Sequence, residues 1–308
     1  MVLLSNQSSA QFRSDKSLLI DAFNLVPGFR CTRTCDHCSN DSSPLRSEAL
    51  SENEVLTIID QLNKFQPAQI VLTGGEVTIY LDIVERVLKN LKFQFKVTLT
   101  TNGSFAGDLS RIEKVLSRIT NLELVQLSFD KFHGSSIDSK TPQLLKSYCD
   151  AKDIRFLLSV CVSEAKDLEF AVDAKDKYGC DVIFQKIEAS GRAKQTGVQF
   201  KYRIFENKVL DQKCPNSGTI SFTPGKGFSN CCSNLIFNHK LAGVASDTID
   251  ELVESRFFKE STELTFGARL KELGLSEAAL EPMHSAPCTL CEFIELKKIP
   301  TKGFKPCG

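Results

Sequence analysis

The chain has 308 residues, 42% of them hydrophobic and 25% charged. That is the make-up of a globular enzyme with room for one large α/β domain, or for a barrel with a small appended module. Lys and Arg together number 38, as do Asp and Glu, so the basic excess of a nucleic-acid-binding protein is missing. No run of about 18 or more apolar residues is present to span a membrane, and Val2-Leu3-Leu4 is too short a hydrophobic segment for a secretory signal. A cytoplasmic protein that binds neither nucleic acid nor membrane is expected.

In chain order, short β-like runs alternate with helical periodicity from about residue 18 to 187. A first strand at 18–26 ends at Pro27-Gly28. A helix follows at 52–65, where Ser51 and Glu54 have the spacing of a capping box and Val55, Ile58, Ile59, Leu62 and Phe65 share one face. The apolar run 69–73 reads as a strand stopped by Gly74-Gly75, and Ile83, Val84, Val87, Leu88 and Leu91 form the next helical stripe. Phe93, Phe95, Val97 and Leu99 alternate as a strand ending at Asn102-Gly103. Asp108 caps a helix carrying Leu109, Ile112, Val115, Leu116 and Ile119. A fourth strand covers 122–129, and Pro142 opens a fourth helix near its first position. A strand at 154–162, a helix at about 166–178 and a strand at 181–187 complete six β/α units. The expected fold is α/β, a partial (β/α)6 barrel with its chemistry at the C-terminal ends of the strands. Beyond about residue 192 Gly and Pro punctuate a loop-rich segment holding six cysteines. The expected division is an N-terminal extension at 1–17, the barrel at 18–193 and a second domain at 194–308.

Twelve cysteines in such a chain point to metal or cluster ligation, because disulfides are disfavoured in a reducing compartment. Nine fall into three groups: Cys31, Cys35 and Cys38; Cys214, Cys231 and Cys232; Cys288, Cys291 and Cys307. Cys149, Cys161 and Cys180 sit in apolar surroundings and read as small buried hydrophobes. The first group follows the first strand directly. Its three thiolates can fold around one iron–sulfur cube and leave one iron open, where a closed electron-transfer cluster would take a fourth cysteine. A zinc knuckle using Cys31, Cys35 or His37, and Cys38 is the alternative on spacing alone.

The Cys-x3-Cys-x2-Cys pattern after strand one resembles the radical S-adenosylmethionine (SAM) superfamily, and further residues match in order over about 18–193. Thr73-Gly74-Gly75-Glu76 resembles that family's Gly-Gly-Glu motif. Thr101-Asn102-Gly103 and Ser128-Phe129-Asp130 end strands three and four. The resemblance implies a SAM-binding [4Fe–4S] cluster on Cys31, Cys35 and Cys38, with Gly74, Gly75 and Glu76 at the SAM amino group. It places polar contacts to the SAM ribose and methionine at Asn102, Ser128 and Asp130. It also implies reductive cleavage of SAM to a 5′-deoxyadenosyl radical that takes a hydrogen atom from substrate, with a flavodoxin or ferredoxin-type electron donor. His133 lies close enough to a strand end to touch substrate or SAM, or only to pack.

Cys214, twelve residues, Gly227, four residues, Cys232 resembles the opening of the SPASM/Twitch auxiliary-cluster domains, and Cys288-Thr289-Leu290-Cys291 resembles their closing pair. With only Cys307 beyond, the shorter Twitch pattern fits: one auxiliary [4Fe–4S] cluster on Cys214, Cys232, Cys288 and Cys291, with a zinc ribbon on the same residues as the alternative. Gly191-Arg192-Ala193 recurs near this junction in that group, which places Arg192 either at the SAM carboxylate or in a loop role. Cys231 and Cys307 are then surplus. Either is inert, replaces a ligand, or serves as a catalytic thiol, and the resemblance to peptide epimerases gives Cys231 the role of hydrogen donor. A ribosomally synthesised peptide substrate, modified by epimerisation or crosslinking, is the leading expectation. Only 30 residues precede Cys31, too few for a separate leader-binding domain of the usual kind. A small-molecule dehydrogenase or epimerase of the sugar or aminocyclitol type, and a zinc-bearing binding module, are the alternatives.

Overall fold

The alternating apolar runs resolve into a parallel sheet with helical crossovers, seen in a computed structural model that describes residues 20–133, 138–237, 241 and 243–299. Strands β1 (Ala22–Leu25), β2 (Gln69–Leu72), β3 (Lys96–Thr101), β4 (Leu122–Ser128), β5 (Arg155–Val162) and β6 (Asp181–Lys186) pair in sequence order, every pair parallel. Between them run α1 (Glu52–Phe65), α2 (Leu81–Lys89), α3 (Leu109–Leu116), α4 (Thr141–Ala151) and α5 (Asp167–Tyr178). Parallel pairing brings the C-terminal ends of all six strands to one edge of the sheet. The sheet stays open, a partial barrel bounded by β6 at one side.

Local signals explain these elements. The capping box of α1 is present: Ser51 Oγ accepts from Glu54 N, and Glu54 Oε2 accepts from Ser51 N at 2.7 Å. Val55, Ile58 and Leu62 bury the face that the periodicity marks. Asp108 caps α3 by accepting from Arg111 N at 2.9 Å, and Pro142 lies in the first turn of α4. Strand β3 starts later than the alternation predicts. Phe93 and Phe95 stay in the preceding turn with their rings 5.5 Å apart, and pairing with β2 begins at Lys96 opposite Gln69. β1 is likewise shorter than 18–26. Residues 18 and 19 lie outside the described residues, and Pro27, which has no N–H to donate, follows the end of the ladder.

Past residue 192 the structure is more regular than the sequence suggests. After the short α6 (Arg192–Thr196), β7 (Thr219–Thr223) joins the sheet parallel to β1, and β8 (Gly227–Ser229) returns antiparallel. The strand order is β6-β5-β4-β3-β2-β1-β7-β8. Ile220, Phe222 and the fully buried Phe228 enter the barrel core, and burying a side chain such as Phe228 contributes roughly 2 kcal/mol. Helices α7 (Ile249–Glu254), α8 (Arg256–Glu263), α9 (Phe266–Glu272) and α10 (Pro287–Lys297) follow. A second apolar core gathers Val209, Leu235, Phe266, Leu270, Leu290 and Ile294 around Cys231 and Cys291. Among the described residues no helix is long and apolar enough to cross a membrane.

Candidate active site

The segment after β1 carries Cys31, Cys35 and Cys38 and folds back on itself over the strand ends. Phe29 N donates to Glu48 O at 2.9 Å and Cys31 N to Ser43 O at 3.0 Å. The turn after β2 clamps it from the other side, with Gly75 N donating to Gly28 O and Glu76 N to Arg30 O, both at 3.0 Å. Only glycine fits at position 75, since a Cβ there would lie 2.2 Å from the Arg30 carbonyl oxygen. Gly191, at φ +55°, is held the same way, with a Cβ position 2.2 Å from Ser39 O. Gly74-Gly75 and Gly191 thus press two chain segments against the cysteine loop.

Glu76 is 0% exposed. Its Oε1 accepts from Thr78 N at 3.3 Å, Thr78 Oγ1 at 2.7 Å and Thr101 Oγ1 at 2.8 Å, and its Oε2 from Asn102 N at 2.9 Å. The carboxylate joins the ends of β2 and β3. Asn102, itself buried, donates through Nδ2 to Cys31 Sγ at 3.4 Å and to Thr32 Oγ1 at 3.1 Å. Cys38 Sγ accepts from Ser42 N at 3.3 Å. Burial pushes the Cys31 thiol up, and charge on Glu76, Cys35 and Cys38 adds to this. Sulfurs grouped in this way, with N–H donors already aimed at two of them, suit a thiolate-bound metal cluster.

Arg192 contributes to the same loop. Its N–H donates to Cys38 O at 2.9 Å, Nη1 to Cys35 O at 3.1 Å and Nη2 to Ser42 O at 3.0 Å, and Nη2 also pairs with Asp41 at 2.7 Å. Both terminal nitrogens are engaged with the cysteine loop itself.

Asp130, 0% exposed just past β4, organises the opposite wall. Its Oδ1 accepts from Phe132 N at 2.9 Å, His133 N at 3.1 Å and His133 Nδ1 at 2.9 Å, and its Oδ2 accepts from Cys161 N at 3.3 Å. His37 Nε2 stands 3.7 Å from Oδ2. Burial works against the charge on Asp130, but the histidines hold its carboxyl below the ordinary range. Burial also opposes charge on His133, yet hydrogen bonds to Asp130 and Cys35 raise it to about 9, whereas burial lowers His37. The hydrogen bond between Asp130 and His133 thus favours charge on both groups, whereas burial disfavours it on His37. His37 packs 4.8 Å from both His133 and Phe132. Ser128, the last residue of β4, pairs in register with Ser159.

The second and third cysteine groups also meet. Cys214, Cys231, Cys232, Cys288 and Cys291 lie close enough that charge on one opposes charge on others, and burial comes first in raising each thiol. Asn216 Nδ2 donates to Cys232 Sγ at 2.9 Å and Arg269 Nη2 to Cys291 Sγ at 3.3 Å. Cys231, 8% exposed, has its Sγ 3.3 Å from Ser233 Oγ. Cys307 lies outside the described residues.

Sequence reasoning missed several residues here. Cys161 is half-buried and its N–H is held by Asp130, so it lines the site wall rather than the apolar core that contains Cys149; Cys180 is half-buried as well. Glu188, after β6, has a buried Oε2 without a hydrogen-bond partner among the described residues, and burial pushes its carboxyl up to about 7 against the pull of Lys186. Neither has a sequence signal beyond its place at a strand end.

A parallel α/β sheet whose strand ends converge on a three-cysteine loop and a buried, hydrogen-bonded acid defines a partial-barrel enzyme of the iron–sulfur class. Residues 25–160 match the model of the Radical SAM superfamily, and this match supports an enzyme dependent on SAM and a [4Fe–4S] cluster. It is 23% identical over 226 residues to YydG of Bacillus subtilis strain 168, named as a peptide biosynthesis protein, across 69% of each chain. It is 34% identical over 102 residues to a protein of Methanothermobacter marburgensis named as a GTP 3′,8-cyclase, a match spanning about a third of each chain (33% and 32%). In fold it is similar to the structure of polyhistidine-tagged anSMEcpe with bound AdoMet, with TM-score 0.54 and 14% identity over 91% of this chain and 96% of that one. The native anSMEcpe structure with AdoMet and the Cp18Cys peptide gives TM-score 0.52 and 13% identity over 89% and 95%. The zinc-bearing binding module is thereby set aside.

Proposed function

We propose that this radical SAM enzyme modifies a ribosomally synthesised peptide, by epimerisation of a residue, and that it works in the cytoplasm. The observation that carries the reading is the assembly of five cysteines in the segment 194–308, one more than a single auxiliary cluster needs. The similarity to a peptide-biosynthesis protein over 69% of both chains supports a peptide substrate. So does the likeness of fold to a protein whose structure holds a peptide with AdoMet.

In this reading Cys31, Cys35 and Cys38 hold the first [4Fe–4S] cluster. When bound there, cluster and SAM together supply the means to remove a substrate hydrogen atom. Gly74 and Gly75 keep backbone close to the loop, and Glu76 fixes the strand ends where the SAM amino group is received. Asn102, Ser128 and Asp130 line the SAM side, Arg192 braces the loop, and His133, charged beside Asp130, faces substrate or SAM. Cys214, Cys232, Cys288 and Cys291 hold an auxiliary [4Fe–4S] cluster in an auxiliary domain at 194–308. Cys232 suits a ligand because a side-chain N–H points at its sulfur.

Cys231 suits a hydrogen donor. Burial raises its pKa against the hydrogen bonds of Ser233 and Ile236, which favours the intact S–H, and its sulfur lies 3.3 Å from the Ser233 hydroxyl. Epimerisation removes the Cα hydrogen from one face and returns a hydrogen atom from the Cys231 thiol to the other. The sulfur is left one electron and one proton short, the electron to be restored by a flavodoxin or ferredoxin-type donor and the proton by solvent. The test is catalysis in deuterated water on short peptides encoded beside the gene. A single solvent deuterium at one Cα, lost in Cys231→Ala with iron retained, is the expected result. A product two mass units lighter assigns crosslinking or dehydrogenation instead.

A further inference from the structure

In the second core one charged side chain lies where an apolar one would be expected. Arg269 of α9 is 1% exposed, the largest fully buried side chain among the described residues, with Phe266, Leu270, Leu290 and Ile294 in the same core. A guanidinium carries five N–H donors and does not shed its charge in proteins, so an interior arginine needs partners on every side. Nη2 donates to Glu295 Oε1 at 2.6 Å and to Cys291 Sγ at 3.3 Å. Nε and Nη1 are buried with no hydrogen-bond partner among the described residues. The ring of Phe266, 5.5 Å from the guanidinium carbon, covers part of one face and accepts no conventional hydrogen bond. Two buried, charged donors are therefore left without acceptors among the described residues.

Charge counting sharpens this. Glu295 also pairs with Lys298 at 2.7 Å, Lys298 pairs with Glu260, and Glu260 pairs with the exposed Arg256. The chain of ion pairs from surface to interior thus holds three cations and two anions. Among the described residues no further carboxylate joins it. Pairing Arg269 with Glu295 and Lys298 with Glu260 leaves the exposed Arg256 as the surplus cation, so what the inner end lacks is acceptors for Arg269 Nε and Nη1, beside the sulfur of Cys291. A thiolate at Cys291 would strengthen the bond from Nη2, and sulfide ions beside that thiolate would give Nε and Nη1 the acceptors they lack.

We propose that Arg269 is the built-in counter-charge of the auxiliary cluster, donating hydrogen bonds to the Cys291 thiolate and to cluster sulfide and thereby raising the reduction potential of that centre. The inference rests on the reading of Cys214, Cys232, Cys288 and Cys291 as cluster ligands. Arg269 acts through a ligand sulfur and not on the reacting atoms, so it is a positioning residue. Reduction adds a negative charge to the cluster, and a fixed cation in a dry core stabilises the more negative state more strongly. Glu295 fixes the guanidinium and partly offsets it, so the two residues pull the potential in opposite directions.

The test uses the full chain with Cys31, Cys35 and Cys38 all replaced by alanine, reconstituted anaerobically, so that only the auxiliary centre remains for redox titration followed by electron paramagnetic resonance. Iron retained in this parent upholds the auxiliary-cluster reading. A parent without iron ends that reading and this inference together. In the parent carrying Arg269→Met, the ratio of reduced to oxidised cluster at fixed potential should fall at least tenfold, about 59 mV for a one-electron couple. Arg269→Lys, which keeps the charge with fewer donors, should fall between the two. Iron retained with an unmoved midpoint in Arg269→Met overturns the role of Arg269 while leaving the cluster in place. If the methionine variant holds no iron, Glu295→Gln decides. It leaves Arg269 and removes its counter-charge, so the midpoint must move to more positive values, and a midpoint that stays or falls overturns the inference.

Discussion

Glu76 Oε2 accepts the backbone N–H of Asn102 at 2.9 Å in a fully buried setting, while Asn102 Nδ2 reaches the sulfur of Cys31. One carboxylate therefore sets the end of β3, and through it the hydrogen bond to a cysteine of the loop. Glu76→Gln substitutes an NH2 group for one acceptor oxygen and leaves at least one buried donor facing another. The expected outcome is a loss of about 3 kcal/mol, read by denaturant unfolding of the metal-free protein. In the reconstituted enzyme, weaker SAM binding should accompany it by equilibrium dialysis. An unchanged unfolding midpoint would show that the interstrand tie carries no weight.

The two cysteine assemblies predict separable iron. Anaerobically reconstituted protein should hold about 8 iron atoms per chain, and Cys31, Cys35 and Cys38 changed together to alanine should leave about 4. That variant should form no 5′-deoxyadenosine under dithionite. Iron that falls to zero would mean that the five C-terminal cysteines hold no cluster of their own.

Asp130→Asn keeps an acceptor oxygen for the N–H groups of Phe132 and His133 but removes the charge between His133 and His37. Loss of one partner from a buried, hydrogen-bonded charge pair should cost roughly 3 kcal/mol. The loop from Lys131 to His133 should become susceptible to proteolysis, because two of its backbone N–H groups are anchored on that carboxylate. A variant as stable and as protease-resistant as the parent would remove Asp130 from its organising place.

Glu188 predicts a pH slope. In the folded chain burial holds its proton up to about 7, whereas its ordinary value is 4.5. Between these values the folded form binds more protons than the unfolded one, so stability falls as pH rises from about 4.5 to about 7 and then levels. Thermal midpoints of the metal-free protein should show that decline, and Glu188→Gln should flatten it. The same slope in the variant would assign the effect to another group.

The barrel was legible because its signals are local. The capping box at Ser51, the cap at Asp108, the proline at 142 and the glycine pairs after the strands each act within a few residues. Cys31, Cys35 and Cys38 were readable for the same reason, and Gly74-Gly75-Glu76 stood where a strand had to end. What stayed hidden depends on distant partners. The run containing Ile220 and Phe222 is too short, and too closely flanked by Gly and Pro, to announce a strand until β1 supplies its ladder. Arg192 reads as a loop arginine until the carbonyls of Cys35 and Ser42 meet it. Arg269 lies in an ordinary helical stretch, and nothing near it in the chain tells that it is interior, because its partners Cys291 and Glu295 are more than twenty residues away.

The pairing of β7 with β1 bears on how the chain tolerates being divided. β1 bears the cysteine loop at its tip and is hydrogen-bonded on both flanks, by β2 and by β7. A barrel severed after residue 193 would present the naked side of β1 to solvent, an unprotected margin on which other chains could stack, directly beneath the oxygen-sensitive centre. The C-terminal segment is thus a guard rail for the first strand, and a chain cut after residue 193 is expected to aggregate through the exposed edge of β1.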